Sequence, residues 1–420
     1  MRTLTLLALA LTACSTHTEP SESLTNDDAN TEVPVPDTTP QPVADELPVP
    51  SLSAGINATG LALQPLLFAD SEENHVFSPA SISIAFGMLA TGTAGETRSE
   101  LYKALHLPES GADEALGGLM GRLSSTGDQP FTVRIANRLW VDTAMPLKPE
   151  YVATTSSIYG AAAEPIDFRQ LGDAAREPIN GWVADQTEQR IEDLLPPGSV
   201  SNDTRAVLVN AVYFKADWLN PFRPEATQDL DFTTAKGDVV AVPTMQQQGL
   251  MRLAETDGVK IVSLPYHGDT TDFLVVLPDD GDLGALQQRM TPESLDAWYG
   301  ATTAHMVDLR LPRFELRATY DSLAGPMTAL GAGRVFGGDA DLSGISAESL
   351  EVSDAVHQAF FLVDETGTEA AAATGIVVRA TSMPIAPQAQ MHIDRPFWFA
   401  IRDRATGTLL FTGQVADPRG

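Results

Sequence analysis

The 420-residue chain contains a single cysteine, Cys14. That excludes an internal disulfide and a thiolate metal site. Basic residues are also few: 26 Lys and Arg stand against 56 Asp and Glu, a formal net charge of −30. Such a chain is repelled by nucleic-acid phosphates, which rules out a nucleic-acid partner. The carboxylates are spread along the whole length, as on a solvated acidic surface, and do not form one acidic tail. The signatures of common enzymes are missing too. There is no G-x-S-x-G elbow, no H-E-x-x-H, no P-loop and no G-x-G-x-x-G after a strand. The seven histidines lack metal-ligand spacing, so no metal or cofactor is expected. A Ser–His–Asp triad needs no local spacing, which leaves Ser78, Ser81 and His357 as candidates. Ser78, however, precedes Pro79 at the start of an apolar helix, where a serine more often caps than attacks.

What is present begins with "MRTLTLLALALTACS". Arg2 gives a positive start, and Leu4 to Leu11 form an apolar run too short to span a bilayer. The stretch reads as a secretory signal. Leu11-Thr12-Ala13-Cys14 resembles the bacterial lipobox, in which the cysteine is lipidated and becomes the new N-terminus. The alternative is an ordinary signal peptide that happens to contain a cysteine. Ser15 after the cysteine resembles outer-membrane sorting. From Ser15 to Pro50 the chain is rich in Pro, Thr, Ser, Asp and Glu, with no Lys or Arg. It buries too little to offset ordering entropy and reads as an extended spacer. Expected boundaries are 1–13 for the signal, 14–51 for the anchored spacer and 52–420 for one folded domain.

Within the domain, Ala54 to Asp70 has helical spacing, and Pro79 to Ala90 is an apolar helix followed by a second from Glu96. "FTVRIANRLWVD" alternates like a strand, and "EPINGWVADQTEQRIEDLL" is an amphipathic helix. "TRAVLVNAVYFKADW" is a long apolar strand with Asn210 in its middle. "KIVSLPYHGDTTDFLVVLP" reads as a hairpin and "HMVDLRLPRFELRATY" as another strand pair. A C-terminal hairpin turns at Ala405-Thr406-Gly407. Helices mixed with long antiparallel strands define an α+β fold.

"GTEAAAATGIVV", from Gly367 to Val378, carries two opposite signals. Thr368 suits a helix cap, Glu369 a first turn, and Ala370 to Ala373 have high helix propensity. Ile376, Val377 and Val378 are β-branched and favour a strand. A short capped surface helix followed by an edge strand would explain both halves.

From about Ala54 to Gly420 the chain resembles the serpins. The resemblance rests on "FSPASISIAFGMLATGTAGETRSEL", "ANRLWVD" with Asn137, "VLVNAVYFKADWLNPF" with Asn210 and Trp218, "LPRFEL" and "ADLSGIS". It also rests on "HQAFFLVDETGTEAAAATG" and on "DRPFWFAIRDRATGTLLFTGQVADP". These motifs stand in family order over nearly the whole domain. The resemblance implies one α+β domain with three β-sheets, eight to nine helices and an exposed reactive-centre loop at about 365–393. It implies a non-enzymatic, monomeric protein whose partner is a serine protease, or in some cases a cysteine protease. The loop would be attacked as bait and then inserted into the main sheet. The hinge would comprise Glu365, Gly367, Thr368, Glu369, Ala370, Ala371, Ala372, Ala373 and Thr374. In a strand, the even positions from Thr368 to Val378 share one face and are never charged. Ser78, Ser81, Asn210 and His357 match the family's polar cluster beneath the opening sheet, and Trp218 the point where insertion starts. Family spacing puts the bait bond at Thr381-Ser382, which suits elastase-like or subtilisin-like pockets. Arg379-Ala380 is the alternative and would suit trypsin-like enzymes. The membrane would be met only through lipid on Cys14, in the bacterial envelope. A non-inhibitory binding or display module is the competing reading.

Overall fold

Two runs that are apolar along nearly their whole length, around Asn210 and around His357, become strands covered on both faces. A strand that faces packing on both sides cannot alternate with polar residues, so it reads as a continuous hydrophobic run. The fold was analysed in a computed structural model, which describes residues 49–68, 71–124, 131–161, 163–368 and 387–420. The signal, the spacer up to residue 48 and residues 369–386 lie outside these, and with them Cys14, most of the hinge and both candidate bait bonds.

The chain opens with helix α1 (Val49–Leu67), strand β1 (His75–Phe77) and helices α2 (Pro79–Ala90), α3 (Gly95–Ala104) and α4 (Ala112–Ser124). Strand β2 (Phe131–Asp142), α5 (Pro149–Tyr159), β3 (Glu164–Ile166), α6 (Phe168–Leu171), α7 (Arg176–Gln186) and β4 (Ala206–Asp217) follow. Next come β5 (Gln228–Thr233), β6 (Val239–Thr256), β7 (Val259–Pro265), β8 (Thr271–Pro278), α8 (Leu283–Arg289) and α9 (Pro292–Ala301). The rest is β9 (Thr303–Pro312), β10 (Phe314–Tyr320), α10 (Ala324–Ala329), β11 (Asp354–Val363), β12 (Gly367–Thr368), β13 (Ala389–His392), β14 (Phe397–Asp403) and β15 (Leu409–Val415). Among the described residues nine helices exceed a single turn.

The main sheet runs β10-β11-β12-β4-β2-β3. The other strands form β1-β15-β14-β8-β7-β6-β9-β13, with β5 also on β6. The 18-residue β6 joins two sheets: its first part pairs β5 and β9, and its last five residues pair β7. These two parts, continuous through β6, stand with the main sheet for the three sheets that the resemblance implies. Helix α2 carries no charge and is buried along its whole length under the main sheet. Its N-cap is Ser78, whose hydroxyl accepts from the Ser81 N–H, with Pro79 in the first turn.

The structure differs from the sequence expectation at three places. Helix α1 starts earlier and ends at Leu67, with Pro65 in its last turn. The helix expected over 177–195 stops at Gln186. There Thr187 takes over its end: its hydroxyl donates to the Val183 carbonyl and accepts from the Ile191 N–H. Glu188 and Gln189 then turn left-handed, at φ 53° and 62°. Ile191, Leu194 and Leu195 thus come back under α7, joining Ile179 and Val183 against Val209, Val356 and Phe360 of the sheet. Finally, β9 and β10 do not pair with each other. Arg313 separates them, and they enter different sheets.

Candidate functional site

Strands β4 and β11 are the centre of the main sheet and run parallel, with Val207–Tyr213 beside Asp354–Phe360. Above Tyr213 and Phe360 they part. The chain leaves β11 at Val363, turns back, and β12 enters the gap: Gly367 and Thr368 lie opposite Asp217 and Ala216 of β4, and Thr368 opposite Val363 of β11. The Asp364 carboxylate closes this turn by accepting from the N–H groups of Thr366 and Gly367 at 2.8 and 3.1 Å.

Trp218 sits at this entrance. Its backbone N–H donates to the Thr366 carbonyl and its indole N–H to the Asp364 carbonyl, both at 2.8 Å. The ring stacks on Tyr266 at 4.6 Å with 8° between planes. The Tyr266 hydroxyl shares a 2.5 Å hydrogen bond with the hydroxyl of fully buried Thr368. Burial holds that phenol well above its ordinary pKa, so it stays protonated. Glu365 is fixed from three sides: its carbonyl accepts from Phe222 N–H at 2.8 Å, and its carboxylate from Thr227 Oγ1 at 2.6 Å, with Arg313 at 3.6 Å. At Gly367 a Cβ would come within 2.0 Å of the Ala216 carbonyl oxygen. Only glycine lets the two backbones approach so closely.

Lower in the same seam, Tyr320, His357, Asn210 and Asn137 stand opposite one another across β10, β11, β4 and β2. The Asn210 amide donates to Ser81 Oγ at 2.6 Å and to the Asn137 side-chain oxygen. Its oxygen accepts from His357 Nδ1. His357 Nε2 accepts the Ser78 N–H at 3.3 Å, so the Nδ1 proton is the one given to Asn210. Burial pushes the His357 pKa down to about 3, and the ring is neutral at physiological pH. Ser78, Ser81, Asn210 and His357 therefore meet in one buried hydrogen-bonded cluster.

The triad alternative is removed by this geometry. The Ser78 hydroxyl donates to the Leu410 carbonyl at 2.6 Å and accepts from Ser81, so it does not face the imidazole as a nucleophile would. The partner that orients His357 is an amide, and the whole cluster is buried.

Sequence reasoning gave no site role to Asn137, Tyr266, Tyr320, Thr227 or Arg313. Asn137 carried part of the resemblance, and the register, which sets it opposite Asn210, gives it its place in the site. The Nδ2 group of Asn137 is buried with no hydrogen-bond partner among the described residues. Of the predicted hinge, Glu365, Gly367 and Thr368 are placed. Thr368 is in a strand and not a helix cap, and it faces inward as its even position requires. Glu369 to Thr374 lie outside the described residues, as do Arg379, Ala380, Thr381 and Ser382.

A sheet whose central pair is parted by the chain's own returning segment defines a serpin. A profile of the serpin family (serine protease inhibitors) matches residues 55–418, and the chain belongs to that family. Among its relatives is the leukocyte elastase inhibitor of Bos taurus, 36% identical over 82% of this chain and 93% of that one. An uncharacterised serpin-like protein of Thermococcus kodakarensis is also 36% identical, covering 84% of this chain and 82% of its own. Uncleaved ovalbumin superposes with a TM-score of 0.78 at 30% identity, over 88% of this chain and 100% of the other. Human thyroxine-binding globulin complexed with thyroxine gives 0.81 at 27% identity, over 89% and 100%. The family's role is inhibition of proteases, not catalysis.

Proposed function

We propose that the chain is a single-use, suicide-substrate inhibitor of serine proteases that works by inserting its loop between β4 and β11. The observation that carries the reading is β12, two residues already seated in the seam. Continued antiparallel, this short strand has a defined path. Six residues beyond Thr368 is Thr374; six back from Ala216 is Asn210; six back from Val363 is His357. Thr374 would replace the direct Asn210–His357 hydrogen bond with a small hydroxyl residue able to bond both. The small even-numbered residues before it pass between strands already paired below. A protease serine attacks the bait carbonyl, the leaving amine takes a proton, and the acyl-enzyme is carried off with the loop before water releases it.

Thr381-Ser382 remains the favoured bait bond, for an elastase-like or subtilisin-like enzyme. Arg379-Ala380 with a trypsin-like enzyme is the alternative. The relationship to leukocyte elastase inhibitors supports the first choice. The protein would be held in the bacterial envelope by lipid on Cys14, beyond the 14–51 spacer. A mature N-terminus other than modified Cys14 would refute the anchor.

The deciding experiment incubates the purified domain with elastase-like, subtilisin-like and trypsin-like proteases. An SDS-stable complex is expected with at least one of them, and the released fragment should begin at Ser382. Because Thr368 is already buried in the intact protein, Thr368→Arg should expel β12 from the seam, and insertion would then have to bury the charge without a partner, which costs several kcal/mol. Each 1.4 kcal/mol added to the insertion barrier slows that step about tenfold, while hydrolysis of the acyl-enzyme is untouched. The variant should be cut at the same bond without forming a complex. Equal trapping by Thr368→Arg and wild type would refute insertion.

A further inference from the structure

Leu250 is the most exposed large hydrophobic residue among those described, at 70%. It lies on β6 opposite Met306 of β9, which is half-buried. Residues opposite each other in a sheet share a face, so the two side chains adjoin on the outer surface. The next rows of that face are polar. They carry Gln248, Asp308 and Gln390, then Gln246, Arg310 and His392, with His392 paired to Asp308 at 3.3 Å. The opposite face, with Val307, Leu309 and Met391, is core. A small apolar centre beside a polar margin is the composition of a protein contact surface.

The position of this patch identifies what covers it. Gln388, one residue after the described chain resumes beyond the loop, donates its N–H to the Met306 carbonyl at 2.7 Å. From Ser382 to Gln388 is six residues, which span at most about 20 Å when extended. A protease domain of about 200 residues has a radius of gyration of about 16 Å. An enzyme gripping the bait is therefore held within about 20 Å of Gln388, close enough for its rim to reach the surface around that residue. We propose that the outer face of β6, β9 and β13 around Leu250 and Met306 is a second contact surface for the target serine protease. The rim of that enzyme would present an apolar patch to Leu250 and Met306 while its cleft holds the loop. The proposal rests on the inhibitory reading and adds a determinant of target choice outside the bait bond. Leu171, also exposed but solitary, is the natural control.

The test uses the protease of the panel that cuts the loop fastest. Leu250→Glu should lower the second-order rate of complex formation about tenfold, and Leu250→Ala about threefold. Leu171→Glu should leave that rate unchanged. Thermal stability and the ratio of cut to trapped inhibitor should stay as in wild type, because docking and insertion are separate steps. A rate for Leu250→Glu within twofold of wild type overturns the contact surface. If the chain is cut but traps nothing, the inhibitory reading falls, and the cleavage rates of the same variants still decide the surface. If no protease cuts within 369–386, both fall.

Discussion

Around Thr368, Tyr266 and Trp218 the strands of the seam are held apart. Six residues lower, around Asn210 and His357, they are held together. The upper region relies on stacked rings, backbone hydrogen bonds and side-chain bonds to the turn and β12, such as Trp218 to Asp364 and Tyr266 to Thr368, and none of these ties β4 directly to β11. The lower region relies on side-chain hydrogen bonds between residues that any new strand must separate. A sheet that is to open from one end gains from this division. The top needs little work to admit more chain, and the middle holds β4 and β11 closed until a residue that can bond both sides arrives.

The largest effect should come from breaking the lower region. Asn210→Leu removes the partner of Ser81, Asn137 and His357 together and leaves their buried polar groups unbonded. At about 1–3 kcal/mol for each of the three orphaned groups, the loss should be at least about 3 kcal/mol. Urea unfolding of the variant checks this. A loss below about 1 kcal/mol would mean that the polar row does not hold the seam. The unpaired Asn137 amide shows that the row is not saturated even in this state.

A milder break uses acid. His357 is neutral when folded, with its pKa pushed down to about 3, whereas the unfolded residue titrates near its ordinary 6.5. The unfolded chain therefore binds a proton that the folded chain refuses. The stability this contributes is complete above pH 6.5 and is lost as pH falls toward 3. Between pH 6.5 and 5, before most carboxylates titrate, the loss should be about 2 kcal/mol. His357→Gln should flatten that part of the stability curve. If wild type and variant lose stability in parallel over this range, His357 is not the titrating group.

The contrast between the two regions also sets how far the sequence could be read. Ser78, Ser81, Asn210 and His357 were legible through the family resemblance, and their burial inside apolar runs requires that they find partners. The α2 and β2 boundaries match because an uncharged helix with Ser-Pro at its start and an alternating strand leave few other solutions. Asn137 was named in its motif, but its role as the partner of Asn210 was hidden because it depends on the cross-strand register, which no single segment encodes. Tyr266 was hidden for the same reason, since it sits in a hairpin turn far along the chain from Thr368. The end of α7 was misread because Ile191, Leu194 and Leu195 keep a helical spacing while the backbone turns back at Glu188 and Gln189. A periodic pattern reports which side chains are buried, and two different backbones can bury the same set.

The smallest change sharpens the comparison from above. Tyr266→Phe removes only the hydroxyl that bonds Thr368 and keeps the ring stacked on Trp218. A typical intramolecular hydrogen bond contributes about 1 kcal/mol, and here Thr368 Oγ1 is left buried, so a loss of about 1–2 kcal/mol is expected. That loss should fall on the hold over β12 more than on the fold as a whole. Protease cleavage of the loop should become slightly faster, because a released hinge gives the bait more reach. Trp218 emission should shift, because the indole bonds the turn that carries β12. Asn210→Leu, by contrast, should lower global stability with little change in the Trp218 signal of the folded protein. If Tyr266→Phe instead lowers global stability as much as Asn210→Leu, the two ends of the seam are one cooperative unit, and the division between an admitting top and a closing middle is lost.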